Sequence, residues 1–173
     1  MNLIGQLLPL VGVVLGAGTS FLVGAMNERR RWKREQAVRW DEARLNAYVE
    51  FAHIVKKLSR AYHRIAATRG LVTGIPPLEL TAEVSAELSN DDDRRSVLVE
   101  NLWLLGDPRT NAAARSMTEA VWRLEAMARG RQEADAGTWA VAQQDLWSAR
   151  DEFRQAARAT LSIESVTTLT SAG

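Results

Sequence analysis

Apolar residues follow two different rhythms along this chain. From Leu3 to Met26 they run almost without interruption, whereas from Trp40 onward they recur at every third and fourth position. The first run holds no Asp, Glu, Lys, Arg or His, and only Gln6, Thr19 and Ser20 are plainly polar. As a helix it would rise ~36 Å, enough to cross a hydrocarbon core of roughly 30 Å with some tilt. Its Leu, Ile, Val and Phe residues favour insertion by roughly −4 to −7 kcal/mol before glycine, proline and polar penalties. The pattern predicts a transmembrane helix over residues 1–26, with Pro9 kinking its outer turns. A cleaved signal peptide competes weakly: no basic side chain precedes Leu3, although Val23-Gly24-Ala25 resembles a cleavage site.

The second rhythm predicts amphipathic helices. Residues 27–69 contain no Gly or Pro and read as one long helix, whose inner face is Trp40, Ala47, Tyr48, Phe51, Val55, Leu58, Tyr62 and Ile65. Arg69-Gly70 supplies the stop, and Thr73-Gly-Ile-Pro-Pro77 a loop. Over residues 78–90 the pattern leaves helix and loop open. A short helix can start at Thr81, and Asn90 can cap a second beginning at Asp91, where three aspartates suit a first turn. Val97 to Leu105 reads as a buried helix end, since no second strand exists to pair with it. Gly106-Asp107-Pro108 then offers a C′ glycine, an N-cap and a first helical proline. The helix that follows runs to about Arg129, with Ala113, Met117, Ala120, Val121, Leu124 and Met127 inward, and Gly130 ends it. A last helix starts near Thr138 and carries Trp139, Ala142, Leu146, Phe153, Ala156 and Leu161 at helical spacing.

The expected fold is therefore all-α: one N-terminal transmembrane helix continuing into a cytoplasmic antiparallel helical bundle. Its segments are the span (1–26), a basic juxtamembrane helix (27–39), the bundle (40–163) and a flexible tail (164–173).

Charge sharpens the orientation. The net charge is +1, but residues 27–34 alone carry five basic groups and one acidic, a local +4 that leaves −3 elsewhere. Arg29, Arg30, Arg31, Trp32, Lys33 and Arg34 form the expected membrane-surface anchor, with arginines snorkelling and an indole at headgroup level. Basic residues beside a span stay in the cytoplasm, so the N-terminus is expected outside and residues 27–173 inside. Such a cluster also attracts anionic lipid, and its place beside a span favours the bilayer over nucleic acid as its partner. Within the span, Gly12, Gly16, Ser20 and Gly24 recur every four residues and share one face. Small residues in that register let a second backbone approach, so this is the expected helix-packing face toward another copy or a membrane protein.

Candidate chemistry is sparse. Cysteine is absent, which excludes disulfides, thiol nucleophiles and cysteine metal sites. Glu50-x-x-His53 has the spacing of a carboxylate-bridged di-iron ligand pair, but such sites need two of these motifs, and Arg60 stands three before His63, the other histidine. The expectation is a polar pair on a helix surface. No phosphate-cradling glycine loop, metalloprotease helix, nucleophile elbow or dinucleotide fingerprint occurs. No cofactor, metal or catalytic residue is expected. Trp103, Trp122, Trp139 and Trp147 read as core or interface residues, and one of them lying fully exposed beside another would indicate a partner site.

The segments Glu28-Arg-Arg-Arg-Trp-Lys-Arg-Glu-Gln-Ala-Val-Arg-Trp-Asp-Glu-Ala-Arg-Leu-Asn-Ala-Tyr48, Leu104-Leu-Gly-Asp-Pro108 and Ala149-Arg-Asp-Glu-Phe-Arg-Gln-Ala-Ala-Arg-Ala-Thr-Leu161 give the chain a layout that resembles a loose group of uncharacterised, small, membrane-anchored all-helical actinobacterial proteins. The resemblance implies a bacterial plasma membrane and no activity. The expected function is a membrane-tethered, non-enzymatic interaction or scaffold module. The rival is a small membrane-active, lysis-type protein assembling through its glycine-rich span.

Overall fold

Four helices organise the chain: α1 (Leu3–Thr68), α2 (Ala82–Leu105), α3 (Pro108–Ala128) and α4 (Ala136–Thr160). The computed structural model describes the backbone of residues 3 to 161 and the side chains of Trp32, Gln36 and every residue from Val38 to Leu161. It divides into two units, Met1–Asp41 and Glu42–Gly173. Among the described residues the fold is all-α, and no helix there is long and apolar enough to cross a membrane. The side chains of the span expected at Leu3–Met26, its small-residue face, and every anchor residue except Trp32 lie outside the described ones. So does the tail at 164–173. Trp32 itself is exposed.

Within the second unit the helices pack antiparallel, each beside its sequence neighbour. Lys57 of α1 reaches Glu87 and Asp91 of α2, while Arg44 donates to Leu105 O at 2.7 Å. Arg129 of α3 meets Ser85 of α2, and Arg123 of α3 meets Asp145 of α4 at 2.8 Å. Phe153 of α4 closes the ring, packing edge-on against Tyr48 and Phe51 of α1 with ring centres 5.9 and 5.2 Å apart. This is an up-down-up-down four-helix bundle.

Helix starts follow the chemistry of their caps. The Thr81 hydroxyl accepts from Val84 N, Asp107 from Arg109 N and Thr110 N, and Asp135 from Thr138 N, so each satisfies backbone donors that a first turn leaves unpaired. Asp135 starts α4 earlier than the apolar pattern indicated, and Thr138 lies inside its first turn. Gly70 and Gly130 take φ of +72° and +74° and end α1 and α3, the left-handed turn a C′ glycine permits.

The inner faces read from spacing are buried on all three of the amphipathic helices, with two exceptions. Leu161 is half-buried. Trp40 is 53% exposed, and the core begins at Ala47. Trp40 belongs to the first unit, whereas the buried core residues of α1 all belong to the second.

Residues 82–105 form one helix, so Asn90 caps nothing and Asp91–Asp93 sit in mid-helix. Two of these three carboxylates are held by cations, Asp91 by Lys57 and Asp92 by Arg95, while Asp93 is exposed. Val97 to Leu105 is buried only through Leu98 and Leu102, leaving Val97, Trp103 and Leu104 exposed, because a helix at the surface buries one stripe. Gly106 ends α2 in an extended conformation, φ −84° and ψ 160°, not a left-handed one. Glycine is required there for space: a Cβ would lie 2.8 Å from Leu102 O and 2.5 Å from Asn111 Oδ1.

Candidate functional site

Two concavities of about 350 Å³ each open on the bundle. The first lies between α1, the loop after it and the start of α2, and includes His53, Lys57, Arg60 and Arg64. Lys57 and Arg64 are committed within the fold, whereas Arg60 is exposed. Lys57 Nζ sits 3.0 Å from Glu87 and 2.8 Å from Asp91, and Arg64 donates to the carbonyls of Pro76 and Pro77. Hydrogen bonds to Asp91 and then Glu87 raise the Lys57 pKa above its ordinary value, which keeps the amine protonated, the reverse of what a nucleophile needs. Glu50 pairs with Arg94 at 3.5 Å, and His53 is exposed. Among the described residues no group of three or more acidic or histidine side chains is placed to hold a metal ion.

The second cleft runs between α2 and α3, and it is built on two indoles. Trp103 and Trp122 line it, 48% and 50% exposed respectively. Trp147 is also half-exposed but does not line this cleft, whereas Trp139 is buried in the core beside His63. Antiparallel packing puts both exposed indoles on one cleft, Trp103 near the end of α2 and Trp122 farther along α3 beside Arg95. Val99 adds an apolar floor, and the hydroxyl of Thr118 (6% exposed) is buried there with no hydrogen-bond partner.

Arg95 underlies one end of the cleft. Its residue exposure is 1%, its Nε and Nη2 donate to Asp92 Oδ1 at 2.9 and 2.8 Å, and its guanidinium lies 5.0 Å from the centre of the Trp122 ring. A buried guanidinium is costly without compensation. Here a carboxylate one turn earlier and an indole face supply it, and the stack fixes the plane of Trp122. Nothing in the apolar rhythm singled out Arg95; the Asp-x-x-Arg spacing of Asp92 and Arg95 was the available signal.

At the α2–α3 turn a polar cluster fastens the end of α4 to the start of α3. Thr110 Oγ1 donates to Asp107 Oδ2 at 2.6 Å, and the Thr160 hydroxyl donates to the same oxygen. Burial raises the Asp107 pKa, but the Thr110 and Thr160 hydroxyls and the backbone N–H groups of Thr110 and Arg109 outweigh it and bring it down to about 2. The Tyr48 hydroxyl is buried there without a hydrogen bond, and burial raises its pKa. Deeper in the bundle, burial and then the Glu125 carboxylate push Tyr62 up to about 12. Both phenols stay protonated near neutral pH, and both sit in the core as packing residues.

Compared with family models, curated proteins and solved structures, the chain matches none.

Proposed function

We propose that this protein is a single-pass, membrane-tethered four-helix bundle whose α2/α3 cleft docks a protein partner and which performs no catalysis of its own. The observation that carries the reading is the pair Trp103 and Trp122, half-exposed on one cleft. A large aromatic left at the surface forgoes burial worth ~2–3 kcal/mol, and tryptophan is enriched where partners bind. In the other concavity Lys57 and Arg64 are occupied by internal partners, so it offers a weaker alternative.

The tether is the Leu3–Met26 run, supported by its apolar composition and by the basic block that follows it. In this reading the N-terminus is outside a bacterial plasma membrane, the bundle is cytoplasmic, Arg29–Arg34 bind anionic headgroups, and the Gly12–Gly24 face packs against a second span.

Photo-crosslinking in cells tests the docking. A photoreactive residue at position 103 or 122 is expected to give a discrete protein adduct, and one at position 147 is not. Absence of an adduct at both cleft positions would reject the reading. Cysteines introduced at positions 2 and 90 test the topology, with labelling of position 90 from outside counting against it.

A further inference from the structure

The geometry points to an arginine-bearing helical segment of a protein partner as the occupant of the α2/α3 cleft. Its guanidinium would sit between Glu100 and Glu119, with its methylenes against Val99 and the exposed indole faces. The inference rests on the proposal that this cleft docks a protein, and it names the chemistry of what docks.

Charge complementarity supplies the argument. Glu100 projects from α2 and Glu119 from α3, both line the cleft, both are exposed, and among the described residues neither forms an ion pair. The Arg95 charge beneath them is already neutralised by Asp92. Between the two tryptophans the cleft therefore presents two carboxylates against the one unpaired guanidinium of Arg115, a surplus of one negative charge. The same cleft shows that a guanidinium suits its indoles, because Arg95 already stacks on Trp122, and about half of that side chain remains open to a second guest. Arginine fits better than a compact ammonium, since its plane can stack on an indole while its fork engages carboxylates. The Thr118 hydroxyl, buried and unpartnered, is an acceptor for a guest N–H. Arg115, on the same wall one turn before Glu119, has no ion-pair partner among the described residues and repels a guest cation from the Trp103 end. A volume of about 350 Å³ holds one or two inserted side chains, and a groove between two antiparallel helices accepts a third helix along its length.

The test uses the full-length protein in lipid nanodiscs with isotope-labelled indoles. The probe is a short Ala/Leu helical peptide carrying two arginines on one face, compared with the same peptide bearing glutamates instead. The arginine peptide is expected to shift the Trp103 and Trp122 indole signals saturably while leaving Trp147 unmoved, and the glutamate peptide to bind roughly tenfold more weakly. The exposed pair of changes Glu100→Gln and Glu119→Gln should weaken the arginine peptide by a similar factor, and Arg115→Gln should tighten it. Equal binding of both peptides, no binding of either, or no effect of the double change would overturn the inference. If it is overturned while crosslinks from positions 103 and 122 persist in cells, docking survives with a partner of different chemistry. Loss of those crosslinks removes the docking proposal itself.

Discussion

The hydroxyl of Thr160, in the last turn of α4, donates to the Asp107 carboxylate that caps the start of α3. One side chain thereby closes a helix end and holds a second helix against it. Thr110 donates to the same oxygen, so the carboxylate is saturated by donors that only the folded chain assembles.

That arrangement predicts a pH dependence. The Asp107 pKa falls from its ordinary 3.8 to about 2 in the fold. A depressed carboxylate contributes stability that is present above the unfolded value and lost as pH drops through the folded one. Stability of the full-length protein should thus decline between about pH 4 and 2. Asp107→Asn, which keeps the capping oxygen but cannot ionise, should lose this component while destabilising by ~1 kcal/mol at neutral pH. Denaturant titrations at several pH values read both effects.

His63 gives the opposite ionisation but the same direction in pH. Burial lowers its pKa below 6.5, and Gln143 Nε2 lies 2.9 Å from its Nδ1. The unfolded chain therefore binds this proton more readily, so stability is complete above pH ~6.5 and falls as pH drops through the folded value. An NMR titration should place His63 below 6.5, and His63→Phe should remove this part of the acid sensitivity. A value at or above 6.5 would refute the burial argument.

Gly106→Ala tests space without invoking a special backbone conformation. Its new Cβ meets the Leu102 carbonyl, which belongs to helix backbone and cannot swing aside. The expected loss is about 1–3 kcal/mol. Gly74→Ala meets no atom within 4 Å but has a φ of +79°, and should cost ~1 kcal/mol through conformation alone.

Phe153→Ala and Trp40→Ala separate position in the bundle from helical phase. Phe153 is buried against Tyr48 and Phe51, and its removal should cost ~3–5 kcal/mol. Trp40 shares the phase of the α1 core stripe yet is exposed, so its removal should stay within ~0.5 kcal/mol. Thermal unfolding of the two variants makes the comparison.

In the proposed span, Gly16→Leu should weaken self-association, since a branched side chain on the small-residue face holds two backbones apart. Crosslinking of the variant against the parent in membranes checks this.

Much of the bundle was legible in the chain, because helix periodicity is a local property. The inward residues of α1, α3 and α4 follow from steps of three and four, and the Thr81 and Asp107 caps follow from residue type. Residues 78–105 resisted the same reading. Their aspartates resemble a helix start when read locally, and only cations on α1 and on the next turn of α2 explain why Asp91 and Asp92 sit in mid-helix. The cleft was less legible still, since periodicity says which face of a helix turns inward but not which two outward residues share a cleft.

By itself the sequence determined the all-α class, the apolar run and basic block at the N-terminus, most helix boundaries, and the absence of cysteine chemistry, since each depends on neighbours along the chain. The tertiary structure decided that α2 is one helix, that Trp40 falls outside the core, and that Gly106 is needed for room. It also decided that Trp103 and Trp122 share a cleft over a buried Arg95. These depend on which surfaces approach in space, and antiparallel packing brings together residues that no local pattern connects.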